Sequence, residues 1–150
     1  MRGPGAATAD RVGEVEKTVE PYTNSVLPPE TDLLITRIIG CAITVHRELG
    51  PGFMENIYGT ALAFEFTAAG IPFDRERSIT VSYRGHLIGG QRVDFIVADA
   101  VIVEVKAVAR FDPVFQAKLI SYLRTTGIRA GLLMNFNTLL MKDGIRRFVV

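Results

Sequence analysis

The segment Val101-Ile102-Val103-Glu104-Val105-Lys106 constrains this chain most. It is β-branched and nearly continuous, the pattern of a strand buried on both faces at the centre of a sheet. Such a strand needs cover on both sides, so it implies an α/β fold with helices flanking the sheet. The next elements agree. Asp112-Pro113 reads as a helix start with proline at the first helical position. Val114, Ala117, Leu119, Ile120 and Leu123 follow at helical spacing, Gly127 closes the helix, and Arg129 to Phe136 reads as another strand. Strand, helix, strand at these lengths is a crossover joining parallel strands, right-handed by the usual rule. A last strand is expected near Ile145–Val150.

Before the central strand the period is two, with apolar and polar residues alternating through Ile79-Thr80-Val81-Ser82-Tyr83. Arg84-Gly85 turns the chain, a strand includes Arg92–Val97, and a tight connection follows at Ala98–Ala100. Earlier still the period is helical. A first helix is expected from Asp32 to Leu49, capped by Thr31 or Asp32 and stopped by Gly50-Pro51. A second runs from about Met54 to Ala69, with Ile57, Ala61, Phe64 and Ala68 as its apolar stripe and Gly70 beyond its end. The expected order is α-α-β-β-β-α-β-β, without an internal repeat.

Residues 1–30 differ from the rest. They hold Pro4, Pro21, Pro28 and Pro29 and few bulky apolar side chains. They are read as a tail with a short helix near Arg11–Val19, ordered by contact with a neighbouring subunit, and residues 31–150 as the domain. The chain carries a formal charge of +1; with three basic and five acidic residues in the tail (−2), the domain is left at +3. That balance offers no broad basic patch for nucleic acid, though it does not forbid a phosphodiester substrate. One cysteine allows no internal disulfide, and one cysteine with two histidines builds no cysteine-rich zinc site. The lone cysteine fits a reducing cytoplasm, and no membrane span is expected, because the longest apolar stretch, Leu33 to Val45, is short and carries Arg37.

The chemistry concentrates on Asp94, Glu104 and Lys106. Glu104 and Lys106 are two apart on a strand and share a face. If the hairpin is centred on Asp99, Asp94 and Glu104 become direct cross-strand partners, close enough that their charges require a proton or a cation between them. Oxygen donors of this kind suit Mg²⁺ or Mn²⁺. A two-residue turn would instead set the acids on different faces, and a solvated Glu-Lys pair is the plain alternative. Glu55, opening the second helix, is read either as a first-turn acid on the helix dipole or as a third carboxylate for the same pocket. His46 and Cys41 are expected to pack, and Tyr58 and Tyr122 either pack or reach the pocket rim. Arg75, Arg77, Arg84, Arg92 and Arg110, interleaved with Asp74 and Glu76, form by default a solvated strand face.

The segment Val45–Tyr58, with Gly52, Glu55 and Tyr58, resembles the signature of the GxxExxY family, part of the PD-(D/E)xK nuclease-like superfamily. The resemblance continues through Gly70–Phe73, Asp94-Phe95, Glu104–Val108, Tyr122–Gly127 and Arg146–Val149. It implies a restriction-endonuclease-like core and a Mg²⁺- or Mn²⁺-dependent nuclease acting on DNA or RNA by a metal-activated water. Asp94, Glu104 and Glu55 would be its metal ligands and Lys106 its catalytic lysine, with Tyr58, Lys118 and Tyr122 toward the substrate. Two residues depart from the pattern. Val93 stands where the superfamily's name has proline, and Lys118 stands four before Tyr122 where related nucleases carry a glutamine. Lysine donates but cannot accept, so the substrate side of the site is altered. A second expectation follows from that departure: a non-catalytic protein that keeps the fold and assembles as a homo-oligomeric structural or binding module.

Overall fold

The computed structural model describes residues 27–150. Two helices open it, α1 (Pro29–Leu49) and α2 (Glu55–Ala68). Three strands follow, β1 (Phe73–Tyr83), β2 (His86–Val97) and β3 (Val101–Lys106). Then come α3 (Pro113–Thr126), β4 (Ala130–Asn135), a 3₁₀ turn (Met141–Gly144) and β5 (Ile145–Val149). The five strands form one sheet in the order β1-β2-β3-β4-β5, antiparallel except for the parallel pair β3 and β4. The α/β class and the element order agree with the sequence reading. The expected short helix and subunit contact of the tail fall outside the described residues, save for Leu27 to Glu30. Among the described residues no helix is long and apolar enough to cross a membrane.

The sheet is covered on both faces, as the β3 pattern requires. Phe95, Val97, Val101, Val103, Val105, Leu132 and Met134 pack against α1 and α2 through Ile35, Ile38, Val45, Tyr58, Leu62 and Phe66. Ile96, Ile102, Leu133 and Phe148 pack on the other face against Leu119, Tyr122 and Leu123 of α3. All of β4 is buried, and so is all of β3 except Lys106, which is half-buried. A continuous apolar run therefore marks the middle of the sheet.

Several boundaries move for physical reasons. α1 begins at Pro29, earlier than expected, because Pro28 provides the carbonyl that receives the Thr31 and Asp32 amides and no side chain caps the helix. Asp32, expected as a cap, instead pairs with Arg147 of β5 at 2.7 Å. On α2 the buried residues are Tyr58, Gly59, Leu62 and Phe66, whereas Ile57 and Phe64 of the expected stripe are exposed. That helix is apolar around most of its circumference, so periodicity does not choose a face. β1 reaches back to Phe73 through a charged run in which Asp74, Glu76 and Arg77 are exposed and Arg75 is half-buried. The α3 boundaries hold: Asp112 Oδ1 accepts the Val114 amide at 2.9 Å, and Gly127 closes the helix in the left-handed region at φ 76°.

Candidate active site

The hairpin between β2 and β3 is centred on Asp99. Val97 pairs with Val101, Ile96 with Ile102 and Phe95 with Val103. Backbone pairing then stops, and the next residues on either side are Asp94 and Glu104. The two strands part here, and the acids bridge the gap in reciprocal fashion. The Asp94 amide donates to Glu104 Oε1 at 3.0 Å, and the Val105 amide donates to Asp94 Oδ2 at 2.8 Å. Each carboxylate replaces a carbonyl that a continued ladder would have supplied.

The side-chain alternation of β2 slips at the same point. Phe95 faces α2, while Val93 packs on the α3 side together with Ile96. In β1 the corresponding position is Glu76, between the pairs Arg75–Phe95 and Arg77–Val93, with a left-handed φ of 56°. A non-glycine residue held there is strained, as is common where a chain bends around a site. The bend turns Asp94 into a cavity of about 190 Å³ lined by Glu55, Asn56 and Gly59 of α2, Arg75 and Glu76 of β1, Asp94 and Phe95 of β2, and Val105.

Electrostatics mark Glu104. It is buried, and burial first, then the charge of Asp94, pushes its carboxyl up to about 8 from the usual 4.5. Lys106, on the same face of β3, partly opposes that rise. Its ammonium lies 4.4 Å from the centre of the Phe115 ring of α3, a cation–π contact, rather than in ion-pair contact with the carboxylates. The segment after Lys106 is pinned by Asn135. This buried amide accepts from the Val108 and Asn137 amides and donates to the Val108 carbonyl.

The structure therefore brings Glu104 against Asp94, with Lys106 on the Glu104 face of β3, and it puts Glu55, exposed at the start of α2, on the wall of the cavity that Asp94 lines. Among the described residues no three His, Cys, Asp or Glu side chains come together closely enough to form a ready-made metal cluster. Tyr58 and Tyr122, expected either to pack or to reach the pocket rim, both pack. Tyr58 is fully buried: its hydroxyl donates to the Gly50 carbonyl at 2.6 Å and accepts the Phe53 amide at 3.0 Å, and its ring stacks on Phe136. It holds the loop that leads into Glu55. Tyr122 is buried with its hydroxyl donating to Gln91 Oε1 at 3.0 Å, and burial and then the charges of Glu104 and Asp94 raise its pKa. Lys118 is exposed on α3 and is not among the cavity-lining residues. His46 packs as expected, its Nε2 2.7 Å from the Thr138 carbonyl oxygen, and burial raises the half-buried Cys41 thiol. The sequence reading did not single out Asn56, Gly59 or Glu76. Their only signal is proximity to Glu55 and to the run Asp74-Arg75-Glu76-Arg77.

A family model described as the PD-(D/E)XK nuclease superfamily matches residues 32–148. A solved structure titled "Crystal structure of SSO0001" aligns at 15% identity over 93% of this chain and 75% of that chain, with a TM-score of 0.37. The search of curated proteins finds no match to this sequence.

Proposed function

Because the chain belongs to the PD-(D/E)XK nuclease superfamily, we propose that it hydrolyses phosphodiester bonds of a nucleic acid at the Asp94–Glu104 pair, with Mg²⁺ or Mn²⁺ as cofactor. Within the superfamily, the Gly52, Glu55 and Tyr58 spacing supports the narrower GxxExxY assignment.

The observation that carries this reading is the reciprocal bonding of the two acids where β2 and β3 part. A pair of carboxylates there, one of them buried, holds excess negative potential that a dication would offset. The donor set fits: Mg²⁺ is commonly bound by one or two carboxylates, with waters and substrate oxygens filling its other positions. Asp94 and Glu104 would hold the ion, and Glu55, across the cavity, would reach it through water. When bound, the ion supplies Lewis-acid polarisation and lowers the pKa of water. Lys106 contributes its own charge, a donor directed at the negative charge that develops on the phosphoryl oxygens. Phe115 keeps that ammonium on the Glu104 side of the strand.

Glu104→Ala and Lys106→Ala should abolish Mn²⁺- or Mg²⁺-dependent cleavage of DNA or RNA with the circular dichroism spectrum retained. A calorimetric Mg²⁺ titration should show binding to the wild type and none to Asp94→Ala. The reading fails if the wild type cuts neither nucleic acid with either ion, or if the double variant cuts equally well. The fold would then serve the non-catalytic, oligomeric role, which light scattering would test.

A further inference from the structure

The acid cavity contains a cation that the two-acid site does not use. Arg75 lies in β1 on its wall, half-buried, with its guanidinium inside a frame of neutral groups. Nη1 donates to Thr60 Oγ1 at 3.1 Å, and Nη2 donates to Asn56 Oδ1 at 3.2 Å. Its Cζ lies 5.8 Å from the centre of the Phe95 ring. The fourth side is Gly59 of α2, where a Cβ would stand 2.8 Å from Nη2. Two facing elements thus fix the guanidinium before any ligand arrives.

Its surroundings make that placement informative. Glu55, Glu76 and Asp94 line the same cavity, yet among the described residues no carboxylate stands within ion-pair distance of Arg75. The neighbouring Arg77 pairs with Asp74 and Asp99, and Arg147 pairs with Asp32. An arginine needed only to balance charge would collapse onto an acid, as those two do. Arg75 is held off the acids by its neutral acceptors, and only two of its five N–H donors are used. A planar fork with spare donors is matched to phosphate oxygens, and the full charge is kept for them. The cavity is too small for a drug-sized ligand but has room for one phosphate group beside Asp94.

We infer that Arg75 is the phosphate-binding residue of this site, gripping a non-bridging oxygen of the nucleic-acid backbone at or next to the bond cut at Asp94 and Glu104. The inference rests on the nuclease reading and adds to it a specific contact and the residue, Gly59, that makes room for it.

The test removes charge from both sides of the contact. Oligonucleotides that the wild type cleaves are resynthesised with one phosphate at a time replaced by an uncharged methylphosphonate. Wild-type kcat/KM should fall about ten- to a hundred-fold at one linkage at or beside the cut, the worth of one or two charge-assisted hydrogen bonds. Arg75→Gln should lose a similar factor on the all-phosphate substrate and nothing further at that linkage, and Arg75→Lys should recover only part of the activity. Gly59→Ala keeps every charge but pushes the guanidinium aside. It should show the same loss of coupling while melting no lower than the wild type, because alanine is the better helix former. A purely structural Arg75 predicts losses that multiply at every linkage, and that result overturns the inference while leaving the nuclease reading intact. A wild type that neither cuts nor binds any oligonucleotide overturns both.

Discussion

Replacing Glu104 by glutamine should remove the loss of stability with rising pH that the site imposes. The metal-free protein shows the effect most directly. Glutamine keeps an acceptor for the Asp94 amide and presents a donor toward Asp94 where the glutamate has a second charged oxygen, so the fold should persist. In the wild type the folded state prefers the protonated Glu104 because burial and Asp94 oppose its charge. The unfolded chain has no such preference. Below an ordinary carboxyl pKa of 4.5 both states are protonated and the favourable protonated form contributes fully to stability. Between 4.5 and about 8 the unfolded chain ionises and the folded one resists, so stability is lost as pH rises. Above about 8 the loss is complete. At ~1.4 kcal/mol for each tenfold in proton affinity, that interval sets an upper bound of about 5 kcal/mol. For a domain of this size each kcal/mol moves the melting point by roughly 4 °C, so the swing approaches ten degrees even at half the bound.

The assay is calorimetric melting in EDTA at constant ionic strength, from pH 4.5 to 9, comparing wild type with Glu104→Gln. The variant should melt near the wild type at pH 5 and clearly above it at pH 8.5. Adding Mg²⁺ at pH 8.5 should raise the wild type toward the variant, since a ligand of the folded state alone stabilises it. Curves that run parallel across the range would refute the argument. So would a wild type that gains on the variant between pH 5 and 8, because the sign would then be that of an ordinary surface carboxylate.

Two further substitutions test the scaffold around the site. Tyr58→Phe removes the hydroxyl shared by the Gly50 carbonyl and the Phe53 amide but keeps the ring on Phe136, and should cost about 1–3 kcal/mol in urea unfolding, against no change in midpoint if the hydroxyl is idle. Gly144→Ala drives a Cβ into the Asn135 carbonyl oxygen, backbone that cannot swing away, and should destabilise by more than about 3 kcal/mol or yield insoluble protein; a soluble variant with an unchanged melting point would refute that packing.

What the sequence made legible follows from where local and long-range forces agree. The β3-α3-β4 unit could be read because a doubly buried strand, a proline start, a helical stripe and a glycine stop each carry their own signal. The register of the β2–β3 hairpin could be read as far as Phe95 and Val103 once it was centred on Asp99, since counting along two strands fixes it, but the ladder ends before the expected Asp94–Glu104 pair. The stripe of α2 could not, because Ala61, Phe64 and Leu62 are all apolar and only tertiary packing selects Leu62 with Tyr58 and Phe66. The first half of β1 was hidden by Asp74-Arg75-Glu76-Arg77, a run that reads as solvated loop or strand face alike. The slip at Asp94 was equally hidden. Period-two counting assumes unbroken alternation, whereas the chain breaks it where Glu76 takes a left-handed backbone. Arg75 was therefore visible as a charge but not as a member of the cavity.

That break has its own logic. A sheet whose only task was stability would carry the β2–β3 ladder onward with apolar pairs, as the chain does from Val97–Val101 to Phe95–Val103. Instead the ladder ends and two backbone amides turn to carboxylates for their acceptors. Hydrogen bonds to those amides hold the charged forms in place, while burial and mutual repulsion penalise them at Glu104. The acids are thus fixed in position and left electrostatically unsatisfied, and position is what a side chain usually loses when its charge is unfavourable. Lys106 lies on Phe115 and Arg75 is framed by Thr60 and Asn56, so neither cation closes onto the pair. Local rules of strand pairing, alternation and charge pairing all fail within a few residues of Asp94, and in an otherwise consistent fold such concentrated failure marks the place where stability yields to function.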